Sequence, residues 1–532
     1  MSRGWTIDTI HPAPGPARGR CGGVDQLNSL ESAIAEAPPA PDPGAGPAGP
    51  RLAVEFSLDP AAAGRLSRHP AIAGARGGRT RGTAEELIWL DTANGVLAGR
   101  GLALEQSQRG LRRMLRTMPE AGPPWLPGSP AETVKAPDLP DGPLVPIAAF
   151  SGRRSLVPLA TPEGPVQAAL ITGKLRAVAD EAPVARLLLD GAPEAVLGLS
   201  GRLAADLPLL PPRAALAEEG RALARGEAPR ARRRGPPDLA EAGTVEEALL
   251  GAVGHLLEVM LHHAPACRLG AGPEGVHQMR VGLRRLRSVL KVFRPAAGCP
   301  ALQSFDAGLK TLADRLGPAR DWDVFLGGLG AQVGEAMPGD KRIAALLKAA
   351  EAKRQAAYAA LRAELDGPAF RRLVLAGLGL LLQRPWRLEA EPDRLARLEE
   401  SLPGSAAALL DKRWHKLCSE GEDIEDHSAE ALHEVRLEAK RLRYAAELFA
   451  PLWPGKATRR FQKRLSAVQE ELGIANDTAV ARSLVATLGG GVPAWAIGAV
   501  EGFATARVSA ARGRAMQAWE DLMVAGPSWT RA

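Results

Sequence analysis

VHQMRVGLRRLRSVLKVFRP, residues 276–295, carries six Lys/Arg residues and one histidine but no acidic residue. At about 100° per residue of an α-helix, five of these side chains form one stripe: His277, Arg280, Arg284, Arg287 and Lys291. Most of the apolar side chains fall on another side of the helix. The pattern therefore predicts an apolar face for a core and a basic face without internal counter-charges. Such a face favours an anionic ligand.

The pattern returns in LHEVRLEAKRLRYAAELFAP, residues 432–451, at an offset of 156 residues. The basic positions of this copy are His433, Arg436, Lys440 and Arg443. At the same offset, LGPARDWDV at residues 316–324 corresponds to LGIANDTAV at residues 472–480. This correspondence predicts a duplicated helical bundle whose two basic stripes are related by a pseudo-twofold axis. That symmetry allows both stripes to face one shared groove.

The two copies differ in charge. The second copy adds Glu434 and Glu438. It also has Glu447 where the first copy has Lys291, and Arg320 adds a positive charge to the first copy alone. These differences predict tighter anion binding by the first copy.

Three further cations are secondary candidates for the basic surface. Arg285 and Arg441 lie off the main stripes, so pairing across helices is an alternative to ligand binding. Lys463 belongs to a basic cluster that follows the second stripe. A solvated face is the default interpretation of that cluster.

No metal site is predicted. His277 and His433 have no His or Cys partner at ligand spacing, and each is either a phosphate donor when protonated or a packing histidine. The LG segments are interpreted as turns that end the preceding helices at residues 316 and 472. Asp321 and Asp477 follow these turns and are therefore predicted to be N-caps of the next helices.

Three motifs in this order resemble a known family. H-x-x-R-V-x-x-R-R-L-R, L-G-x-x-R-D-x-D-V and H-x-x-R-x-x-x-K-R-L-R-Y are similar to motifs of the CHAD domain, the conserved-histidine α-helical domain. The resemblance covers about residues 240–525. It implies a helical domain with a basic surface that binds inorganic polyphosphate, and an association with polyphosphate granules.

The same stripes are a poor match to nucleic acid. Polyphosphate has about one negative charge per phosphate and no bases, so rows of guanidinium groups are sufficient to bind it. Nucleic-acid recognition also needs stacking aromatic residues or groups that read base edges, whereas Phe293 and Phe449 lie on the apolar faces. Polyphosphate is therefore the predicted partner, and a nucleic-acid-binding or scaffolding module is an alternative.

Composition places the chain among cytoplasmic proteins. The 532 residues are enough for two or three domains, 45% are hydrophobic, and the formal net charge is +7. The four cysteines are far apart and form no CxxC pair, which fits a reducing compartment and argues against disulfide or zinc scaffolds. Neither a secretory signal nor a membrane-spanning apolar run is recognised. No cofactor and no membrane partner are predicted.

The pattern along the chain predicts an α+β multidomain protein. Residues 1–50 are rich in Pro, Ala and Gly and are predicted to be disordered. Residues 51–225 form a β-rich domain, and residues 226–238 form a linker. Residues 239–526 are predicted to be all-α. The two repeats of this region cover about residues 239–385 and 393–526.

The β-rich segment resembles a degenerate CYTH domain, the triphosphate tunnel fold. RLAVEFSLDP at residues 51–60 aligns with the family's E-x-E-x-K-x-x-L-D-P start, and WLDTANGVLAGRGLAL is similar to its next conserved segment. The resemblance implies a tunnel that hydrolyses triphosphates with glutamate-bound divalent metal ions and basic phosphate contacts.

The tunnel's chemistry is largely missing from this sequence. The E-x-E-x-K positions are Arg51, Ala53 and Glu55, and the positions of a later R-x-R pair are Glu105 and Ser107. The remaining candidates for phosphate contact are Lys135, Arg153 and Arg154. Because the metal ligands are absent, the domain is predicted to be a non-catalytic scaffold. A metal-dependent inorganic triphosphatase with rearranged ligands is the alternative.

Overall fold

The computed structural model describes most of the chain after the first 50 residues, namely residues 51–119, 126–135, 139–388, 390–489 and 491–529. A β-sheet region comes first and an all-helical region follows it. This order confirms the predicted α+β multidomain class. The predicted disorder of residues 1–50 lies outside the described residues.

The N-terminal region is built on one curled antiparallel sheet of eight strands in the described residues. The strands are β1 (Leu52–Leu58), β2 (Arg81–Thr92), β3 (Leu102–Ser107), β4 (Arg112–Arg116), β5 (Glu132–Val134), β6 (Leu144–Thr161), β7 (Gly164–Arg176) and β8 (Glu181–Gly191). Their spatial order is β1-β8-β7-β6-β2-β3-β4-β5. An antiparallel half-barrel of this kind is consistent with a CYTH-like tunnel domain.

Five helices accompany the sheet, and they cover its faces differently. They are α1 (Pro60–Leu66), α2 (Pro70–Ala73), α3 (Val96–Gly99), α4 (Pro193–Asp206) and α5 (Leu216–Arg225). On one face, Val54 and Phe56 of β1 pack with Leu187 of β8 against α4. On the other face, the cross-strand partners Leu87 and Phe150 join an apolar cluster that includes α5. Strand alternation thus supplies two cores.

The C-terminal region is a bundle of long helices. They are α6 (Val245–His263), α7 (Glu274–Ala297), α8 (Pro300–Gly327), α9 (Leu329–Ala336), α10 (Lys341–Asp366), α11 (Pro368–Gln383), α12 (Pro392–Glu399), α13 (Leu402–Glu420), α14 (Ala429–Phe449), α15 (Lys456–Ala486) and α16 (Ala494–Ala525). A capping box between Thr244 and Glu247 begins α6. No helix in the described part of the chain has the length and apolarity needed to cross a membrane.

The two copies of the sequence repeat contact each other in the core of the bundle. Helices α7 and α14 carry the two copies of the basic motif and contact each other. Phe293 and Phe449, which are equivalent at the repeat offset, pack edge to face with ring centroids 6.2 Å apart and planes at 86°. One apolar cluster contains side chains from both repeats. Contact between equivalent residues is the arrangement expected for a pseudo-twofold pair.

The interpretation of the LG segments as turns is wrong. Helix α8 continues through Gly317 and Pro318 to Gly327, and α15 continues through Gly473 to Ala486. Asp321 and Asp477 therefore lie inside helices and are not N-caps. Packing along these long helices outweighs the local cost of glycine and of the hydrogen bond that proline removes.

The segment between the two regions packs against the bundle. Residues 226–238 contain neither helix nor strand. Arg232 is nevertheless buried, and its Nη1 lies 3.4 Å from a carboxylate oxygen of Glu258 on α6. Helix α11 also contacts α4, and Arg371 Nε donates a hydrogen bond of 2.8 Å to the Ala204 carbonyl. The sheet and the bundle are thus joined by buried polar contacts.

Candidate anion-binding site

Helices α7 and α14 bring the two basic stripes together around Lys440. Burial is the largest of the effects that lower the pKa of Lys440 to about 8, and the positive charges of Arg284, Arg436, Arg280 and Lys291 supply the rest. Three of these four cations belong to α7, whereas Lys440 and Arg436 belong to α14. The two copies therefore contribute to one site. We call these five residues the basic cluster.

The side chains of the basic cluster have no ion-pair partner in the described residues, although burial raises the pKa of nearby Asp321 and the charge of Arg280 opposes that rise. In the described residues, none of its five side chains forms a hydrogen bond or an ion pair with another protein group. The Nε atoms of Arg284 and Arg436 are buried without a hydrogen-bond partner. Burial lowers the pKa of Arg284, and the neighbouring Arg443 and Arg280 also lower it. Buried donors without partners cost about 1–3 kcal/mol each, and an anionic ligand would offset that cost.

Two arginines of the basic cluster lie close to the glycines of the LG segments. A Cβ atom on Gly317 of α8 would lie 3.5 Å from Arg280 Nη1. A Cβ atom on Gly473 of α15 would lie 3.8 Å from Arg436 Nε. The two glycines are equivalent in the repeat, as are the two arginines. The motif therefore lets a guanidinium group lie against a continuous helix.

Two predicted binding residues are held by the protein itself. Arg287 Nε lies 2.8 Å from a carboxylate oxygen of Asp306. Arg443 Nε donates a hydrogen bond of 2.7 Å to the side chain of Gln469. Both stripe positions thus extend toward neighbouring helices. Helical periodicity alone does not distinguish them from the cluster residues.

Tyr444 lies beside the basic cluster, although it was not among the predicted binding residues. Its ring centroid lies 5.4 Å from the guanidinium carbon of Arg284 and 5.1 Å from that of Arg443. Its hydroxyl is buried without a hydrogen-bond partner. Tyr444 is the last residue of the R-L-R-Y motif, so its presence in that motif was the sequence signal for it. Its hydroxyl adds a neutral donor next to the basic cluster.

The two histidines occupy different environments. His277 is partly buried, which lowers its pKa, and nearby Arg320 lowers it further. The opposing effect of Glu274 is smaller than that of Arg320. His277 is therefore neutral at neutral pH, which argues against a role as a protonated phosphate donor in the free protein. His433 is exposed.

Two equivalent carboxylates approach each other beside the basic cluster. Burial raises the pKa of Asp321, the charges of Arg280 and Arg320 lower it, and Asp477 raises it. The mutual influence of Asp321 and Asp477 shows that the two repeats also meet here. The described residues contain no group of three side chains suited to hold a metal ion.

Most of the secondary candidates have partners elsewhere. Arg285 of α7 forms an ion pair with Glu447 of α14, which confirms the predicted pairing across helices. Arg441 forms an ion pair with Glu438 of its own helix. Lys463 is exposed on α15. Glu438 and Glu447 thus pair with cations outside the basic cluster, and weaker anion binding by the second stripe stays a prediction.

In the β region, the most deeply buried cation of the described residues has two carboxylates beside it. The side chain of Arg186 on β8 is 1% exposed, with Nη2 2.5 Å from Glu219 and Nε 3.8 Å from Glu55. Burial raises the pKa of Glu55, and the charge of Arg186 opposes that rise. Sequence analysis identified Glu55 but missed Arg186.

The other charges on this face of the sheet are also paired. Arg154 Nε lies 3.0 Å from Glu85. Glu105 accepts a hydrogen bond of 3.0 Å from Trp89 Nε1 and lies 2.6 Å from Arg113. The other predicted phosphate contacts, Lys135 and Arg153, are exposed. The structure therefore does not bring the candidates of the β region together as a free cationic site.

Comparisons with known proteins agree with the helical region. Residues 251–486 match the model of the CHAD domain family. The crystal structure of the CHAD domain from the plant Ricinus communis is 31% identical, with a TM-score of 0.42, covering 54% of this chain and 95% of that chain. PptA from Streptomyces chartreusis is 18% identical, with a TM-score of 0.39, covering 52% of this chain and 100% of that chain. None of the curated proteins compared with the chain matches it.

Proposed function

Because the chain belongs to the CHAD domain family, we propose that it binds inorganic polyphosphate through the basic cluster. The observation that carries this proposal is the meeting of five cations from two repeats, none of which has an ion-pair partner in the described residues. The polyphosphate binding implied by the sequence resemblance has the same chemistry. A linear polyanion is able to cross from one repeat to the other along such a surface.

The basic cluster matches phosphate oxygens in donor chemistry. Arg280, Arg284 and Arg436 offer planar guanidinium forks, which suit phosphoryl oxygens. Lys291 and Lys440 offer compact charges at the same surface. The unpartnered Nε atoms of Arg284 and Arg436 would gain acceptors when the anion binds. Charge-assisted hydrogen bonds of this kind contribute about 1.5–3 kcal/mol each.

Residues around the basic cluster have supporting roles in this proposal. Arg320 and His277 extend the site at the first repeat, and His433 marks the equivalent position of the second repeat. Arg287 and Arg443 orient the helices through their protein partners. The family resemblance extends the proposal to a cytoplasmic location at polyphosphate granules, which fluorescence microscopy of the tagged chain would test.

The proposal treats the β domain as non-catalytic. Hydrolysis of triphosphates in a tunnel requires carboxylates for metal ions and free cations for phosphates. Here Arg186 and Arg154 are paired with protein carboxylates. We expect no phosphate release from tripolyphosphate in the presence of Mg²⁺ or Mn²⁺. Release that disappears when Arg186 is replaced would instead support the triphosphatase alternative.

Reversing four charges of the basic cluster tests the binding proposal. Polyphosphate affinity should fall more than a hundredfold, below detection in an ordinary titration, while the circular dichroism spectrum and Tm change little. The substitutions are Arg280→Glu, Arg284→Glu, Arg436→Glu and Lys440→Glu. A folded quadruple variant that binds like the unmodified protein would refute the proposed site.

A matched control separates local from global charge. It reverses four exposed lysines on α10 and α15, with the substitutions Lys341→Glu, Lys348→Glu, Lys353→Glu and Lys456→Glu. The change in net charge equals that of the cluster variant, so a purely global electrostatic effect would weaken both proteins equally. We expect the control to retain most of its affinity.

A further inference from the structure

A cavity of about 710 Å³ lies between the β domain and the helical bundle. One wall is formed by the end of β1 and by residues 208–213, which follow α4. The opposite wall is formed by the end of α6, the end of α10 and the first turn of α11. The volume falls in the range of about 300–1,000 Å³ that is usual for small-molecule sites. The basic cluster contributes no residue to it.

Four arginines line this cavity, and two of them have no protein partner. Arg362 forms an ion pair with Asp366, and Arg371 donates hydrogen bonds to backbone carbonyls. In the described residues, the side chains of Arg213 and Arg268 have neither a hydrogen bond nor an ion pair. The half-buried Arg213 and the exposed Arg268 are therefore available to an anion in the cavity, which Asp59 and Asp366 also line.

Buried polar groups behind the wall also have unused hydrogen-bonding capacity. Glu219 lines the cavity and holds Arg186, whose Nε and Nη1 atoms are buried without hydrogen-bond partners. The Nδ1 atom of His262 is likewise buried without a partner. Burial, with smaller contributions from the charges of His263 and Arg213, lowers the pKa of His262 to about 4. His262 is thus a neutral polar group close to Arg213.

We propose that this interdomain cavity binds a small organic phosphate. Arg213 and Arg268 would hold the phosphate through forked, charge-assisted hydrogen bonds. Glu219 would accept hydrogen bonds from hydroxyl or amino groups, and Leu261 and Phe370 would contact the apolar part of the ligand. The site is separate from the basic cluster, so it does not depend on polyphosphate binding.

Calorimetric titration of the full chain with AMP and with glucose 6-phosphate tests this proposal. We expect saturable binding of at least one of them with one site per chain. The double variant Arg213→Ala/Arg268→Ala should weaken that binding at least tenfold. The matched control Arg65→Ala/Arg68→Ala, which removes two exposed arginines of the β domain, should leave it unchanged. Absence of binding by both probes, or equal binding by the double variant, would overturn the proposal.

Two further measurements do not depend on the Arg213→Ala/Arg268→Ala variant. Bound ligand should slow hydrogen exchange in residues 208–213 and 362–371 of the unmodified protein but not in residues 276–295. Binding should also persist in the quadruple basic-cluster variant. Inorganic phosphate that binds as tightly as both probes would overturn the organic ligand class. Protection confined to residues 276–295 would reassign the ligand to the basic cluster.

Discussion

The basic cluster and the β8 side of the sheet both contain deeply placed arginines. Only the arginine on β8 has carboxylate partners among the described residues. Arg186 on β8 is held between the carboxylates of Glu55 and Glu219. Arg284 on α7 lies beside other cations and has no carboxylate partner in the described residues. The comparison shows that the number of arginines does not identify an anion site. The proposed site is distinguished by the absence of ion-pair partners among the described residues.

The two regions should therefore respond differently to the loss of an arginine, one mainly in folding stability and the other mainly in ligand binding. Removing one partner of a buried ion pair leaves an uncompensated charge, which is strongly destabilising. Removing a charge from a crowded cationic cluster relieves repulsion and a desolvation cost. We therefore expect the same substitution to have opposite consequences in the two regions.

The largest expected effect is on folding stability after Arg186→Met. This substitution leaves Glu55 and Glu219 without their buried partner, and the free energy of unfolding should fall by about 3–5 kcal/mol. Polyphosphate affinity of the folded protein should be unchanged. Urea unfolding and a polyphosphate titration would measure both quantities.

Arg284→Met is the matched substitution in the basic cluster. It should change the free energy of unfolding by less than about 1 kcal/mol, because it removes an unpaired charge, and it should weaken polyphosphate binding. The contrast between the regions fails if Arg284→Met costs as much stability as Arg186→Met.

The next effect distinguishes the two halves of the basic cluster. Arg280→Gln/Arg284→Gln should weaken polyphosphate binding about a hundredfold, since two charge-assisted contacts are lost. Arg436→Gln/Lys440→Gln should weaken it about tenfold, because Arg320 has no cationic equivalent in the second repeat. Parallel titrations of the two variants give the ratio. Equal losses would show that the halves share the ligand evenly.

The smallest effect is a dependence of binding on pH. In the free protein the pKa of Lys440 is about 8, and a bound polyanion should raise that pKa. Affinity should therefore fall about fivefold as pH rises from 7 to 9. Lys440→Arg should remove this dependence, since arginine stays protonated. A dependence that is unchanged in Lys440→Arg would exclude Lys440 as its source.

The lowered pKa of Lys440 should make folding stability rise with pH, whereas polyphosphate affinity falls. The pKa of Lys440 is lower in the folded protein than the ordinary value of 10.5. The unfolded chain therefore binds more protons at this residue between about pH 8 and 10.5, and the contribution of Lys440 to stability rises with pH in that window. Comparison with Lys440→Arg isolates the contribution from other titrating groups.

The repeat, the fold class and the basic stripes were accessible from sequence because each depends on local periodicity. The course of α8 was not, since Gly317 and Pro318 are ordinary helix breakers. In the structure Arg280 lies near Gly317, and the helix continues through Gly317 and Pro318 because packing along its length outweighs their local cost. The LG motif was identified from sequence, but its contact with Arg280 became visible only when the neighbouring helix was in place.

The ion-pair partners of Arg287 and Arg186 could not be predicted from the sequence either. Arg287 and Arg284 lie on the same predicted stripe, yet Asp306 of α8 neutralises Arg287 and leaves Arg284 unpaired. Arg186 carried no motif and is the most deeply buried cation of the β domain. Pairing across helices and strands depends on tertiary contacts, which periodicity within one segment does not encode.

The salt dependence of polyphosphate binding tests the central claim most directly. Chains of one defined length are titrated into the unmodified protein and into the quadruple basic-cluster variant at about 50 and 200 mM salt. If free cations bind the polyanion, affinity of the unmodified protein should fall about 10²–10³-fold between these salt concentrations, by analogy with nucleic acids. The same affinity at both salt concentrations, or the same steep fall in the quadruple variant, would contradict the account.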